Sequence, residues 1–221
     1  MENKRIEVLA EDGKKAVEVN GFPDTCPICH LGVDPRFQWG YLFSNQRFIE
    51  AIFQCPRREC RHLFIAYYIS PGNMLYTIYK IEPHTPVPRE FNKLIVSISS
   101  SFVNIFNQAS QAEELSMSEI AGPGYRKALE FLIKDYAIST NPGVAEIIKK
   151  IQLAQVISDY VTATNIKTTA KRAAWLGNDE THYYRKWEDK DINDLKLLIE
   201  LTVRWIESEE LTRQYEKDMN D

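Results

Sequence analysis

Apolar positions follow two rhythms along the 221 residues of the chain. Between residues 40 and 81 they fall in short runs rich in aromatic and β-branched side chains: Tyr41–Phe43, Phe48–Phe53, Leu63–Ile69 and Met74–Ile81. Runs of this length and composition predict strands. Ser70-Pro71-Gly72-Asn73 is a strong turn signal between the last two, so they are expected to pair as an antiparallel hairpin. Asp12-Gly13 marks a second, weaker hairpin near the N-terminus. From Ile95 onward the step lengthens. Ile95, Ile98, Phe102, Ile105, Ala109 and Ala112 alternate steps of three and four, which puts them on one helical face. The serines at 99–101 offer N-caps, placing the helix proper near residue 100. Ala121, Tyr125, Ala128, Leu132 and Tyr136 trace a second helix. Its Gly122-Pro123-Gly124 must mark a start, a kink or a close helix contact. Asn141-Pro142-Gly143 breaks the chain. Val144–Tyr160 predicts one or two shorter helices, and Ile166–Leu176 another with Gly177 as its C′ residue. Ile192, Leu195, Ile199, Val203 and Ile206 mark a long last helix with Asp191 as its cap. The charged tail from Glu207 is expected to fray.

Between the two rhythms lies Glu82-Pro83-His84-Thr85-Pro86-Val87-Pro88-Arg89. Proline removes backbone donors and disfavours both helix and central strand, so this segment predicts a stiff linker. The expected organisation is a β domain over 1–82, a proline-rich linker over 83–92 and a helical domain over 93–221. The fold class is α+β: a small N-terminal antiparallel zinc-ribbon sheet followed by an all-α bundle of five or six helices.

The ribbon expectation rests on four cysteines in two pairs, Cys26-Pro-Ile-Cys29 and Cys55-Pro-Arg-Arg-Glu-Cys60. Thiolate is a soft ligand suited to Zn²⁺, and two cysteine turns brought together by a hairpin supply a closed tetrahedral site. The second pair is wider than the common two-residue spacing, and His30 and His62 adjoin the pairs as substitute ligands. A structural Zn²⁺ held by Cys26, Cys29, Cys55 and Cys60 would contribute folding energy outright. A redox role for Cys26 and Cys29 does not fit, because such a site opens a helix and none is expected here.

Composition narrows the setting. The chain is 44% hydrophobic and 26% charged, ordinary for a soluble protein. It holds no apolar run long enough for a membrane span and no signal-peptide core after Met-Glu-Asn-Lys-Arg, so a cytoplasmic location is expected. Paired cysteines in a reducing compartment point to metal rather than disulfides. The formal charge is −4, with no basic excess in either half of the kind that tracks phosphate backbones. Arg57, Arg58 and Arg61 form a local basic patch, which fits a solvated knuckle or a partner surface.

Two polar constellations lie in the helical half. Arg172-Ala-Ala-Trp-Leu-Gly-Asn-Asp-Glu-Thr-His182 sits between two helices. His182 can act as acid or base near neutral pH, Asn178 can donate and accept hydrogen bonds, and Arg172 or Arg126 can stabilise phosphate charge. The plainer reading makes Gly177 a helix cap, Asn178 and Asp179 a turn, and His182 a partner of a nearby carbonyl. Arg126, Glu130 and Lys134 share one face at i, i+4 and i+8, which reads as a solvated ion-pair stripe.

Ser100-Ser-Phe-Val-Asn-Ile-Phe-Asn-Gln-Ala-Ser-Gln-Ala-Glu-Glu, Gly124-Tyr-Arg-Lys-Ala-Leu-Glu-Phe-Leu and Gly177-Asn-Asp-Glu-Thr-His together resemble the bacterial domain-of-unknown-function family 4145. The resemblance covers residues from about 90 to 215. It implies a preceding cysteine-pair zinc element, kinship with the helical bundles of the HEPN superfamily, and a setting in mobile elements or defence against phage. Several HEPN proteins are metal-independent ribonucleases that act as dimers. Their motif is Arg, a polar residue, a short spacer and His. Asn178 and His182 match the polar residue and the His, while Gly177 stands at the Arg position, leaving Arg172 or Arg126 to supply a guanidinium. The resemblance and the residues together lead to a non-catalytic zinc-containing module that binds a protein or nucleic-acid partner, with a possible homodimer through the helices. The competing expectation is an endoribonuclease using His182, Asn178, Arg172 and Arg126.

Overall fold

The computed structural model describes residues 3–72 and 75–219. Asn73 and Met74, which carry the end of the expected turn and the first residue of the expected last strand, lie outside the described residues. The chain divides into two compact units, Met1–Val87 and Pro88–Asp221.

The first unit is a closed six-stranded barrel in the order β1-β2-β6-β5-β4-β3. Its strands are β1 (Lys4–Ala10), β2 (Gly13–Val19), β3 (Arg36–Leu42), β4 (Phe48–Gln54), β5 (Leu63–Ile69) and β6 (Leu75–Glu82). Strands β3 to β6 form an antiparallel meander. The hairpin β1–β2 then lies parallel to both free edges of that meander, through Leu9 opposite Tyr41 and through Glu18 and Val19 opposite Leu75 and Tyr76. The sheet is therefore large and mixed. This overturns the expectation of a small antiparallel ribbon followed by an all-helical bundle.

The physical reason is edge closure. A four-stranded meander leaves two rows of unpaired backbone groups, and a barrel removes both edges at once. The closing hairpin is encoded by alternation: Ile6, Val8 and Ala10 face inward while Arg5, Glu7 and Leu9 face outward. Gly40 admits the parallel neighbour. A Cβ there would lie 2.8 Å from Val8 Cγ1, closer than real side chains approach. Inside the barrel Ile49, Phe53, Phe64 and Tyr68 are fully buried. Tyr68 donates its hydroxyl to Gly21 O at 3.1 Å, and Tyr76 donates to Gln46 O at 2.9 Å, so neither buried phenol is left unpaired. Burial raises the pKa of both.

The second unit carries α1 (Lys93–Ile98), α2 (Ser100–Glu114), α3 (Ser118–Thr140), α4 (Ala145–Lys150), α5 (Leu153–Tyr160), α6 (Thr164–Asp179) and α7 (Ile192–Asp218), with a single 3₁₀ turn at Pro142–Val144. Ser99 caps α2 by accepting from Phe102 N at 3.2 Å. Asp191 caps α7 in a reciprocal box with Asp194. The 23-residue α3 is central and touches α2, α4, α5, α6 and α7. Its Tyr125 packs edge-on against Phe106 with ring centroids 4.9 Å apart. The Tyr125 hydroxyl donates to Glu113 at 2.7 Å, and Lys196 donates to the same carboxylate at 2.9 Å, tying α2, α3 and α7 together. Gly122-Pro123-Gly124 lies inside α3, not at its start. It is a close helix contact: a Cβ on Gly124 would meet the Ala109 Cβ at 2.8 Å. Gly177 is no C′ residue either. It is buried within α6, which runs on to Asp179.

Candidate metal centre

Two loops at one end of the barrel bring the cysteines together. In the first, Cys26 O accepts from His30 N at 2.9 Å and Cys26 N donates to Leu31 O at 3.1 Å, with His30 at φ 56°. In the second, Arg57 O accepts from Cys60 N at 3.1 Å and from Arg61 N at 3.0 Å, with Arg61 at φ 56°. The two turns are alike. Cys60 occupies the place of Cys29, and Arg57 occupies the place of Cys26. The missing ligand is supplied from just upstream by Cys55, at the end of β4. That explains the wider spacing of the second pair: its first cysteine is anchored on a strand, not in the turn.

The four Sγ atoms all lie within 4.8 Å of one another. Cys26 and Cys60 are 3.8 Å apart, and Cys29 and Cys55 are 4.0 Å apart. These separations are far too long for disulfides, which need about 2.05 Å. They fit a metal tetrahedron: with a metal–sulfur bond of about 2.3 Å, its edges are about 3.8 Å. The four cysteines can hold a metal ion. The histidines are not among the clustered ligand atoms. His62 Nδ1 lies 3.5 Å from Cys60 Sγ, as a second-layer hydrogen-bond partner would.

The electrostatics ask for a cation. Burial raises the Cys26 thiol, but the amides of Cys29 and Ile28 and the neighbouring thiols outweigh it and hold its pKa below the ordinary value. Burial raises the Cys55 thiol. The His62 amide favours the Cys60 thiolate, yet burial and the three other thiols push that group up to about 12. Four thiolates cannot share so small a volume without a positive charge among them. Arg57, Arg58 and Arg61 lie exposed on the second loop. Arg57 reaches Glu59 at 3.9 Å.

The other sequence-derived quartet is only half assembled. Arg126 Nε donates to Asn178 Oδ1 at 3.0 Å, and its Nη1 donates to Glu130 at 3.3 Å. Glu130 also binds Lys134 at 2.8 Å. Burial raises the Glu130 pKa, but Lys134 and Arg126 together carry it below the ordinary value. Arg172 turns back along its own helix to Thr168 O at 3.3 Å. Six residues from Asn178, it stands about 120° around the helix. His182 lies exposed beyond the end of α6 and makes no hydrogen bond among the described residues. Neither Arg172 nor His182 lines the cleft that Arg126 and Asn178 share.

Two features of this region were not anticipated from sequence. Gly177 clears the path of Arg126: a Cβ at 177 would come within 2.4 Å of Arg126 Cδ. Asp179 organises the following loop by accepting from Lys186 N at 2.9 Å and Trp187 N at 2.7 Å. The first joins residues distant in sequence, so no local pattern announces it; the second closes a loop of seven to eight residues, longer than a turn motif. Among the described residues no helix is long and apolar enough to cross a membrane. Comparison with family models, curated proteins and solved structures returned no match.

Proposed function

We propose that this protein is a non-catalytic binding module whose barrel is clasped by a structural Zn²⁺ on Cys26, Cys29, Cys55 and Cys60. Its partner would be a protein or nucleic acid. The cytoplasm, where thiols stay reduced, suits such a site. The bacterial defence or mobile-element setting comes from the family resemblance and belongs to the same proposal. The observation that supports it best is the thiol tetrad, two of whose edges, 3.8 and 4.0 Å, lie close to those of a Zn–S₄ tetrahedron. A closed set of four thiolates suits a structural Zn²⁺; it also suits iron, and elemental analysis tells the two apart. The ribonuclease reading lacks comparable support. General acid–base cleavage needs its histidine within reach of the 2′-OH or the leaving oxygen of the bound phosphodiester, and so beside the groups that line the phosphate's cleft. Here the Arg126–Asn178 pair and His182 do not line a common cleft.

The test has two arms. Elemental analysis of freshly purified protein is expected to give one zinc per chain; a sub-stoichiometric value with an ordered barrel rejects the clasp. Incubation with mixed RNA, using the native protein and His182→Ala, is expected to give no cleavage from either. Cleavage that disappears in the variant rejects the non-catalytic reading.

A further inference from the structure

Helices α3, α5 and α6 enclose a cleft of 320 Å³ whose walls carry three cations, Arg126, Lys167 and Lys171, beside Asn178 and Trp175. On α6 the wall is a single stripe. Lys167, Lys171, Trp175 and Asn178 recur at i, i+4, i+8 and i+11 and so share one face. Arg126 enters from α3 over Gly177 and is pinned by Asn178 and Glu130. Its side chain is only 17% exposed. Lys167 reaches Ser158 O, at the C-terminal end of α5, at 2.5 Å. The Lys171 ammonium lies 5.3 Å from the centre of the Trp175 ring. Neither lysine forms an ion pair among the described residues, and Glu130 is the carboxylate bonded to Arg126 and is shared with Lys134. Over residues 141–178 the sequence holds five basic and two acidic side chains, inside a chain of net charge −4.

Arg126 and Lys167 are half-buried and Lys171 is exposed, and three like charges gathered on one cleft attract a counter-charge. The volume sits at the small end of the range for small-molecule sites, roughly 300–1,000 Å³. The wall supplies a rigid guanidinium fork and two ammonium groups, a set suited to a compact dianion. A phosphomonoester carries about −1.5 to −2 charges at neutral pH, which balances the two lysines that form no ion pair among the described residues.

We propose that the α3/α5/α6 cleft binds a phosphomonoester, with the phosphate held between Lys167, Lys171 and Arg126. The proposal rests on the reading that the helical unit binds rather than cleaves. The phosphomonoester can come from a small phosphorylated metabolite or from the 5′ end of a nucleic-acid strand.

Titration calorimetry on the full chain would use inorganic phosphate, adenosine 5′-monophosphate, and a short RNA with either a 5′-phosphate or a 5′-hydroxyl. Saturable binding of a phosphomonoester probe is expected. Lys167→Gln and Lys171→Gln should each weaken it roughly tenfold, the usual scale for one charge-assisted hydrogen bond. Lys149→Gln/Lys150→Gln, outside the cleft, should leave it unchanged, and thermal melts should show all variants folded. Gly177→Ala should also weaken binding, by displacing Arg126. Tighter binding of the mononucleotide than of the 5′-phosphorylated RNA assigns the site to metabolites; the reverse assigns it to strand ends. No saturable binding of any phosphomonoester probe overturns the proposal. So does equal affinity in native protein and the lysine variants, or, where the 5′-phosphorylated RNA binds more tightly than the mononucleotide, equal affinity for its 5′-hydroxyl counterpart. Failure here with zinc present and no RNA cleavage would sink the cleft alone. Cleavage dependent on His182 would instead sink the binding reading beneath it.

Discussion

The barrel and the helical unit reach order by opposite routes. In the helical unit the most extensive packing is between neighbours in sequence. Helix α2 packs on α3, the next element along, and Phe106, Tyr125 and Glu113 knit the two together. In the barrel the decisive contacts are distant: Leu9 lies beside Tyr41, and Glu18 beside Leu75. Closing such loops costs chain entropy before any contact compensates for it. The cysteine loops shorten that problem. A metal bound by Cys26 and Cys29 on one side and by Cys55 and Cys60 on the other would join the segment ahead of β3 to the turn between β4 and β5. The difference teaches where each unit is vulnerable: the helical unit in its packed aromatic core, the barrel at its clasp and its closing seam.

The largest effect expected is therefore loss of the clasp. Cys55→Ser, or extraction of the metal with a strong chelator, should abolish hydrogen-exchange protection in the strands between residues 4 and 82 while leaving α2, α3 and α7 protected. Structural zinc in small domains carries apparent binding free energies of about 10–16 kcal/mol, more than a domain's whole stability. Uniform loss of protection across both units would show that they do not differ in this way. Unchanged protection in the barrel would show that the thiols are not its clasp.

Legibility follows the same division. The helices announced themselves through steps of three and four. The cysteines announced themselves through spacing, as did the β5–β6 strands through their aromatic runs. What stayed hidden was non-local. Asp12-Gly13 marked the β1–β2 hairpin, and Ile6, Val8 and Ala10 alternate as a half-buried strand should. Nothing local shows that the hairpin's other edges pair with β3 and β6. Likewise Gly177 looks like a helix cap in one dimension and is a gap for Arg126 in three. The stripe Lys167, Lys171, Trp175 and Asn178 follows helical spacing but drew no reading from the sequence, because its meaning required Arg126 to arrive from another helix.

The seam offers a smaller test. Gly40→Val would place side-chain atoms where Val8 Cγ1 already lies. Overpacking of this kind costs about 1–3 kcal/mol. The expected result is weaker exchange protection at the β1–β3 seam, with zinc content and the helical unit's melting unchanged. If the β3–β4 ladder weakens as much as the seam, then Gly40 serves the meander rather than closure.

The smallest effect lies at the start of α7 and separates the units by pH. The Asp191 carboxylate accepts from the amides of Asp194 and Asn193 and from the Asn193 side chain, with the Arg185 charge nearby; its pKa falls below the ordinary 3.8. A carboxyl group whose folded pKa is depressed contributes stability that is present above the ordinary value and is lost as pH falls through the folded one. Asp191→Asn keeps a capping acceptor but removes the titration. The native protein should thus melt slightly higher than the variant at pH 7, and the gap should close as pH falls from 3.8 through the lowered folded value. The barrel should respond to acid earlier, because protons compete with the metal for thiolates well above carboxylate pKa values. Strand protection should accordingly fail at a higher pH than the Asp191 difference disappears. A gap that does not narrow as pH falls below 3.8 would mean that the Asp191 charge is not what stabilises the helix start.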